Sequence, residues 1–459
     1  MQTEPTLFEH LARFAQKVSQ SEFPDRVLLE AKFCVLDTLG CMISGAPLPE
    51  GQAFARMESE ISPGNVRVVG RDITLSEAGA ARLNGYNGDI LELNDLIGGH
   101  ASIGSVSAVL ALAQTLGLGG PAFLRSLITG IEITARVNAA YRESHGGQDN
   151  KPFTEVGVSS EGIPSTIGVS ALASVAFGLR PEQIASAMAI GGTLAGWCPV
   201  EVLFGVGGTV KPLMFGSWPA TVGMLAGRYA KAGMTGPTHL LESPVGLFAT
   251  LAKGYDPEII KGSLGWQLEK PRRKWHACCG FIHAGLDGVV ALRQQHGASL
   301  FEDATVEISV VPPVATLMST QKLPENETEA RFSGKYCLAL AMSGVDCILP
   351  SHSAEVASHL AAPQTVGRMG RISYVGLDSL PHFSHSRVRV VGPEGERAAL
   401  QVAGYKGSQT KPLSHDEVIQ KFLRMASFGI KQPSEYVDKV LSLERFENLD
   451  WIYDDLIVT

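Results

Sequence analysis

Four stretches of this sequence set ionisable or polar residues beside glycine in otherwise apolar surroundings. The first runs from Leu83-Asn84-Gly85 to Glu92-Leu93-Asn94-Asp95-Leu96-Ile97-Gly98-Gly99-His100. It brings an acid, an amide and an imidazole into one short glycine-flanked loop. The second is Gly208-Thr209-Val210-Lys211-Pro212, where a lysine interrupts an apolar run. The third is Arg272-Arg273-Lys274-Trp275-His276-Ala277-Cys278-Cys279-Gly280-Phe281-Ile282-His283, and the fourth Glu329-Ala330-Arg331-Phe332-Ser333-Gly334-Lys335-Tyr336. Histidine can exchange a proton at neutral pH, and a lysine ammonium can hold an anion. Each stretch also has a purely structural reading. Asp95 can cap a helix starting near Ala101 while His100 fills a core gap. Lys211 can snorkel, residues 272–274 can form a solvated basic turn, and residues 329–336 can be ordinary capping.

Other chemistries find less support. Gly205-Val206-Gly207-Gly208-Thr209 approaches a dinucleotide fingerprint, but Val210 stands where the third glycine belongs and no strand precedes it. There is no Walker A sequence, no G-x-S-x-G elbow and no H-E-x-x-H. His276, Cys278, Cys279 and His283 are the densest set of potential metal ligands. Adjacent cysteines do not match structural zinc spacing, so no metal and no nucleotide cofactor is expected. The 459 residues carry 38 Lys and Arg against 46 Asp and Glu, a net charge of −8. That balance argues against a nucleic-acid partner. Seven cysteines without a C-x-x-C suggest reduced, mostly buried thiols and a cytoplasmic setting. The N-terminus lacks the pattern of a secretory signal. The uncharged run Gly162 to Leu179 is built of small residues, which suit a tightly packed helix better than a membrane span. Fifty glycines, with no Gly-X-Y period, are expected in crowded backbone and in the loops that carry the polar groups.

The elements that must position these loops are mostly helical. Leu7, Leu11, Phe14 and Val18 recur at helical spacing, as do Val27, Leu28, Ala31, Val35 and Leu39 after Pro24. Ser76 and Pro121 open further helices, Ala140 to Ser160 reads as a long loop, and Ile163–Phe177 and Pro181–Leu194 are helical. Residues 209–232 read as one long helix bent at Pro212 or Pro219. Alternation at Val306, Ile308 and Val310 predicts a strand, and Val388 and Val390 lead through Gly392-Pro393-Glu394-Gly395 into a hairpin. Ser414-His415-Asp416-Glu417 has capping-box spacing. The expected fold class is mainly α with a smaller α/β domain. A large helical domain takes residues 1–260 with 413–459, and an α+β lid domain takes 261–412.

In order and together, these phrases resemble the MmgE/PrpD family over about residues 25 to 430. The supporting phrases include Glu92-Leu93-Asn94-Asp95 with His100 and Thr209-Val210-Lys211 with Gly216. Gly233-Met234-Thr235-Gly236-Pro237 matches too, as do Lys274 with Cys278 and His283, Ala330-Arg331-Phe332-Ser333, and Lys421-Phe422. The resemblance implies a homodimer that needs no organic cofactor. It also implies a site between two domains, mapping onto Asp95, His100, Lys211, Lys274 and His283. Family members include 2-methylcitrate dehydratase, cis-aconitate decarboxylase and iminodisuccinate epimerase, which all act beside carboxylates. On that basis Lys211 and Lys274 hold or stabilise carboxylate charge. His100 is the preferred acid or base, Asp95 orients it or is itself the base, His283 joins the catalytic set, and Ser159 and Cys279 contact substrate.

The sequence also departs from the family. Ser159 and Met214 replace histidines, and Asn94-Asp95 replaces a double aspartate. No aromatic residue stands between Pro312 and Lys322, where the decarboxylase tyrosine would fall near Met318, and Cys279 replaces that branch's histidine. These losses argue against cis-aconitate decarboxylation. The expected activity is a cofactor-free dehydratase of a hydroxylated di- or tricarboxylate. An isomerase or epimerase and a non-catalytic carboxylate-binding homologue are the alternatives.

Overall fold

The computed structural model describes residues 4–143, 151, 153–200, 210–262, 265–319 and 322–457. It is mainly helical, with one four-stranded sheet in its later half. The first half forms the helices that periodicity predicts. Leu7–Gln20 begins at a Thr6 capping box, and Asp25–Gly45 follows Pro24. Glu77–Asp89 starts at Ser76, whose side chain accepts from the Gly79 N–H. Gly120–Arg142 has Pro121 in its first turn, where a missing N–H costs nothing. Gly162–Ala176 and Pro181–Leu194 complete this layer. Among the described residues no helix is long and apolar enough to cross a membrane.

In the four-stranded sheet, Ile372–Gly376 pairs in parallel with Thr305–Val310. Thr305–Val310 pairs antiparallel with Ser386–Gly392, which forms a hairpin with Gly395–Val402. The inward residues Val306, Ile308, Val388 and Val390 share an apolar core with Leu286 and Val289 of the helix His283–His296. A separate helical core joins Phe33, Leu39, Ile103 and Leu127 to Phe422, Val440 and Ile452 near the end of the chain. Leu268 packs into that helical core, ahead of the sheet.

Two local expectations are revised. The helix Gly120–Arg142 continues past Ala140, and the expected loop contains a short helix, Phe153–Val156, and the strand Val158–Ser159 paired with Cys198–Pro199. Residues 144–150 and 152 of that loop lie outside the described residues. The single helix expected over 209–232 is instead a π-helical turn, Leu213–Ser217, leading into Trp218–Lys231. Pro219 sits in the first turn of the latter helix. Here Gly85 and Gly216 let two backbones touch: a Cβ on Gly85 would lie 2.6 Å from the Gly216 carbonyl carbon. The residues around Arg331 form two helices, Glu327–Phe332 and Gly334–Met342, because the Ser333 side chain caps the second.

These elements converge on the loop between Asp89 and Ala101. Its carbonyls and amides are held from three distant places. Arg331 Nη1 donates to the Ile90 carbonyl (2.9 Å), Lys421 Nζ to the Leu93 carbonyl (2.7 Å), and the Leu96 N–H to the Arg272 carbonyl (2.9 Å). Lys421 is fully buried and also pairs with Asp37 at 2.6 Å. Removing one partner of a buried pair strands the other charge. Lys421→Met is therefore expected to destabilise the fold by about 3–5 kcal/mol, measured by chemical denaturation, whereas exposed Lys411→Met should leave stability nearly unchanged.

Candidate active site

A cavity of about 390 Å³ opens beside this loop, within the size range of small-molecule sites. Its polar lining includes Glu92, His100, Asn138, Arg142, Lys211, Arg272 and Lys274. Another part of its wall is apolar, with Phe215, Phe281, Val314, Phe332 and Phe383.

Charge is concentrated around Glu92. Lys274 Nζ donates to its carboxylate at 2.8 Å, and Lys211 Nζ forms a second ion pair with it. Lys211 also reaches Asp89 Oδ1 at 2.7 Å and lies 4.7 Å from the centre of the Phe215 ring. All four charged side chains are almost fully buried. Burial alone would drive Glu92 towards its neutral acid, but the two ammonium groups outweigh it and hold the carboxyl well below its usual range. For Lys211 burial opposes charge, while Asp89 and Glu92 raise its pKa.

Local backbone presents these groups. Glu92 and His100 have φ of 52° and 76°, and Gly98 and Gly99 between them are also left-handed. Such values strain a residue that carries a Cβ and are characteristic of functional loops. At Gly98 an added Cβ would lie 2.6 Å from the Ala135 Cα, so glycine is required there.

A hydrogen-bond chain then sets the state of His100. Asn94 Nδ2 donates to Asp89 Oδ1, so Asn94 Oδ1 faces the imidazole, at 2.7 Å from Nδ1. An amide oxygen only accepts, so Nδ1 must carry the proton and Nε2 the lone pair. Among the described residues Nε2 has no hydrogen-bond partner, and His100 lines the cavity. Burial, reinforced by Lys211 and Lys274, pushes its pKa well below the ordinary value and keeps the ring neutral.

The structure thus brings together His100, Lys211, Lys274 and Cys279 in the lining of one cavity. The Cys279 thiol is pushed up to about 12 by burial and by Glu92, so it stays protonated. Three expected residues lie elsewhere. Asp95 does not touch His100; its carboxylate accepts from Ser102 Oγ behind the cavity, and Asn94 does the orienting instead. His283 is fully buried, with Nε2 donating to the Cys278 carbonyl at 3.3 Å and its ring against His276 and Tyr405. Ser159 lines a smaller cavity of about 30 Å³ that adjoins the first, with Arg142, Glu161 and Phe281 lining both. His276 bonds Asp287, and among the described residues no three His, Cys, Asp or Glu side chains are grouped as metal ligands. Asp89, Asn138, Arg142 and His382 escaped the sequence reading. Asp89 had one signal, an acid standing alone between Gly88 and Ile90 in an apolar stretch.

Two outcomes test this geometry. Nitrogen-15 NMR of labelled histidine should show the Nδ1–H tautomer for His100, and Asn94→Ala should convert it to a mixture. Burial, partly offset by the Ser102 hydrogen bond, raises Asp95 to about 6 from 3.8. The fold therefore favours its protonated form. That stabilisation is complete below pH ~4 and is lost as pH rises through 6, by about 3 kcal/mol in all. Asp95→Asn should consequently gain stability over the parent between those pH values, and parallel denaturation curves would refute the assignment.

Comparison with known proteins agrees with the order of these segments. The MmgE/PrpD N-terminal domain matches residues 9–260, and the MmgE/PrpD C-terminal domain matches residues 276–443. The chain is 24% identical to the cis-aconitate decarboxylase-like protein oryM of Aspergillus oryzae, over 96% of this chain and 95% of that protein. It is likewise 24% identical to a cis-aconitate decarboxylase of Aspergillus terreus, over 96% and 93% of the two chains. With both domains matched across most of its length, the chain belongs to the MmgE/PrpD family, whose members include lyases of the dehydratase and decarboxylase type.

Proposed function

We propose that this protein is a dehydratase of a hydroxylated di- or tricarboxylate, working without an organic cofactor, with His100 as the proton-transfer group. One observation carries the reading: a neutral imidazole whose Nε2 lone pair is left free in a cavity that also holds two buried lysines. Lys274 engages the substrate carboxylate, and Lys211 stabilises the negative charge that builds up as the adjacent C–H bond breaks. His100 Nε2 takes that proton. The resulting imidazolium is a strong acid in this environment and passes the proton to the leaving hydroxyl. The C–O bond then breaks, a C=C bond forms and water departs, so one residue serves both steps. Asp95 and His283 support the wall from outside the cavity in this scheme.

Decarboxylation, the reaction named for the Aspergillus relatives, would replace carboxyl by a proton at carbon. The wall contributed by residues 311–314 is Val311, Pro313 and Val314, which offers no side-chain acid for that delivery. We also propose two structural units, 1–260 with 413–459 and 261–412, and a homodimeric assembly. The test is His100→Asn, chosen because asparagine tolerates left-handed backbone. With 2-methylcitrate as substrate, absorbance of the new conjugated double bond should appear with the parent protein and fall about 10²–10⁴-fold in the variant, with the fold retained. Since the base acts unprotonated and its pKa is depressed, activity should hold from pH 8 to 6.5 and decline only at lower pH. Deuterium uptake from solvent without new absorbance would replace dehydration by epimerisation. Unchanged ligand responses in His100→Asn would leave a binding protein.

A further inference from the structure

The basic run Arg272-Arg273-Lys274 does not form a solvated turn. Its three cations separate: Arg273 is buried against Glu30 at 2.8 Å, Lys274 pairs with Glu92, and Arg272 lines the cavity. Arg272 differs from its neighbours in how little balances it. Its side chain is only 14% exposed, and its one ion pair among the described residues is Glu143 at 3.3 Å, itself 46% exposed. A guanidinium has five donor N–H groups, and a solvent-facing carboxylate at that distance engages one of them. The backbone at Arg272 is anchored, since its carbonyl accepts from the Leu96 N–H.

His382 lines the same cavity and supplies a second, independent donor. Its Nδ1 accepts from the Ser384 N–H at 3.2 Å, so the ring proton must sit on Nε2. Partial desolvation and the nearby Arg272 charge lower its pKa to about 4, which keeps it neutral, although the residue as a whole is exposed to solvent. Nε2–H has no partner among the described residues.

We propose that Arg272 and His382 form a second carboxylate subsite, which reads the substrate carboxylate not engaged by Lys274. The planar fork of Arg272 takes the carboxylate through two N–H groups, and His382 Nε2–H donates to one of its oxygens. The site therefore selects substrates with at least two carboxylates. This rests on the proposed reading of the cavity as a carboxylate site, and it holds for binding as well as for turnover.

Calorimetric titration separates the two ideas. The probes are 2-methylcitrate and, as the one-carboxylate comparison, 2-hydroxyisobutyrate. Arg272→Gln should weaken 2-methylcitrate about 10–100-fold, the loss of a charge-assisted pair, while affinity for 2-hydroxyisobutyrate moves less than about threefold. His382→Ala should give a smaller loss, and His382→Gln, which restores an N–H donor, should recover part of it. Where turnover is seen, the change should fall on KM more than on kcat. Equal weakening of both probes by Arg272→Gln, no weakening of either, or failure of the parent protein to bind 2-methylcitrate overturns the subsite. Arg272-dependent binding with no turnover of any carboxylate supports the subsite and removes the dehydratase reading instead.

Discussion

A buried carboxylate is tolerable only when cations meet it, and Glu92 is met by two, Lys211 and Lys274. The loop that carries it is held by lysines from the turn before Trp218 and from the segment after Lys270. Arg331 and Lys421 extend the same dependence to the backbone carbonyls of Ile90 and Leu93. The site loop is therefore assembled from contacts between the helical half, the sheet-bearing half and the C-terminal helix His415–Ala426. Such contacts span long stretches of chain, and they make the loop geometry a property of the whole molecule.

That constraint has electrostatic consequences for the chemistry. Two ammonium groups close to His100 favour its neutral state, while Asp89, through the Asn94 amide, selects which nitrogen holds the proton. An amide in this position conveys the direction of a hydrogen bond without adding negative charge beside the imidazole. A carboxylate there would stabilise the imidazolium instead. Left-handed backbone at Glu92 and His100 is the local strain that accompanies this arrangement, and the surrounding pairs hold it in place.

Family membership and site geometry answer different questions. Matches to both MmgE/PrpD domains establish ancestry and the lyase-type setting. At 24% identity the relatives' reaction does not transfer by itself, because the reaction follows from the groups lining the cavity. Here the lining combines buried lysines and a neutral histidine with an apolar wall, and lacks side-chain acids over residues 311–314.

Helix and strand periodicity, capping residues and the glycine-flanked polar phrases were legible in the sequence. They are set by neighbours within a few positions, so Ser76, Pro121 and Ser414 mark their helix starts locally. His100, Lys211, Lys274 and Cys279 could be nominated because their phrases, in order and together, resemble those of the MmgE/PrpD family. Asp95, Ser159 and His283 have the same appearance in sequence, yet they face Ser102, a smaller adjoining cavity and the Cys278 carbonyl. Local patterns cannot separate these cases, because burial in a wall and burial behind it select the same residue types. The partnerships that distinguish them join residues far apart, 122 positions for Lys211 with Asp89 and 182 for Lys274 with Glu92. Only the tertiary structure decided which cation meets which anion, which nitrogen of His100 is free, and that Arg272 turns inward, since each depends on charges brought together by folding.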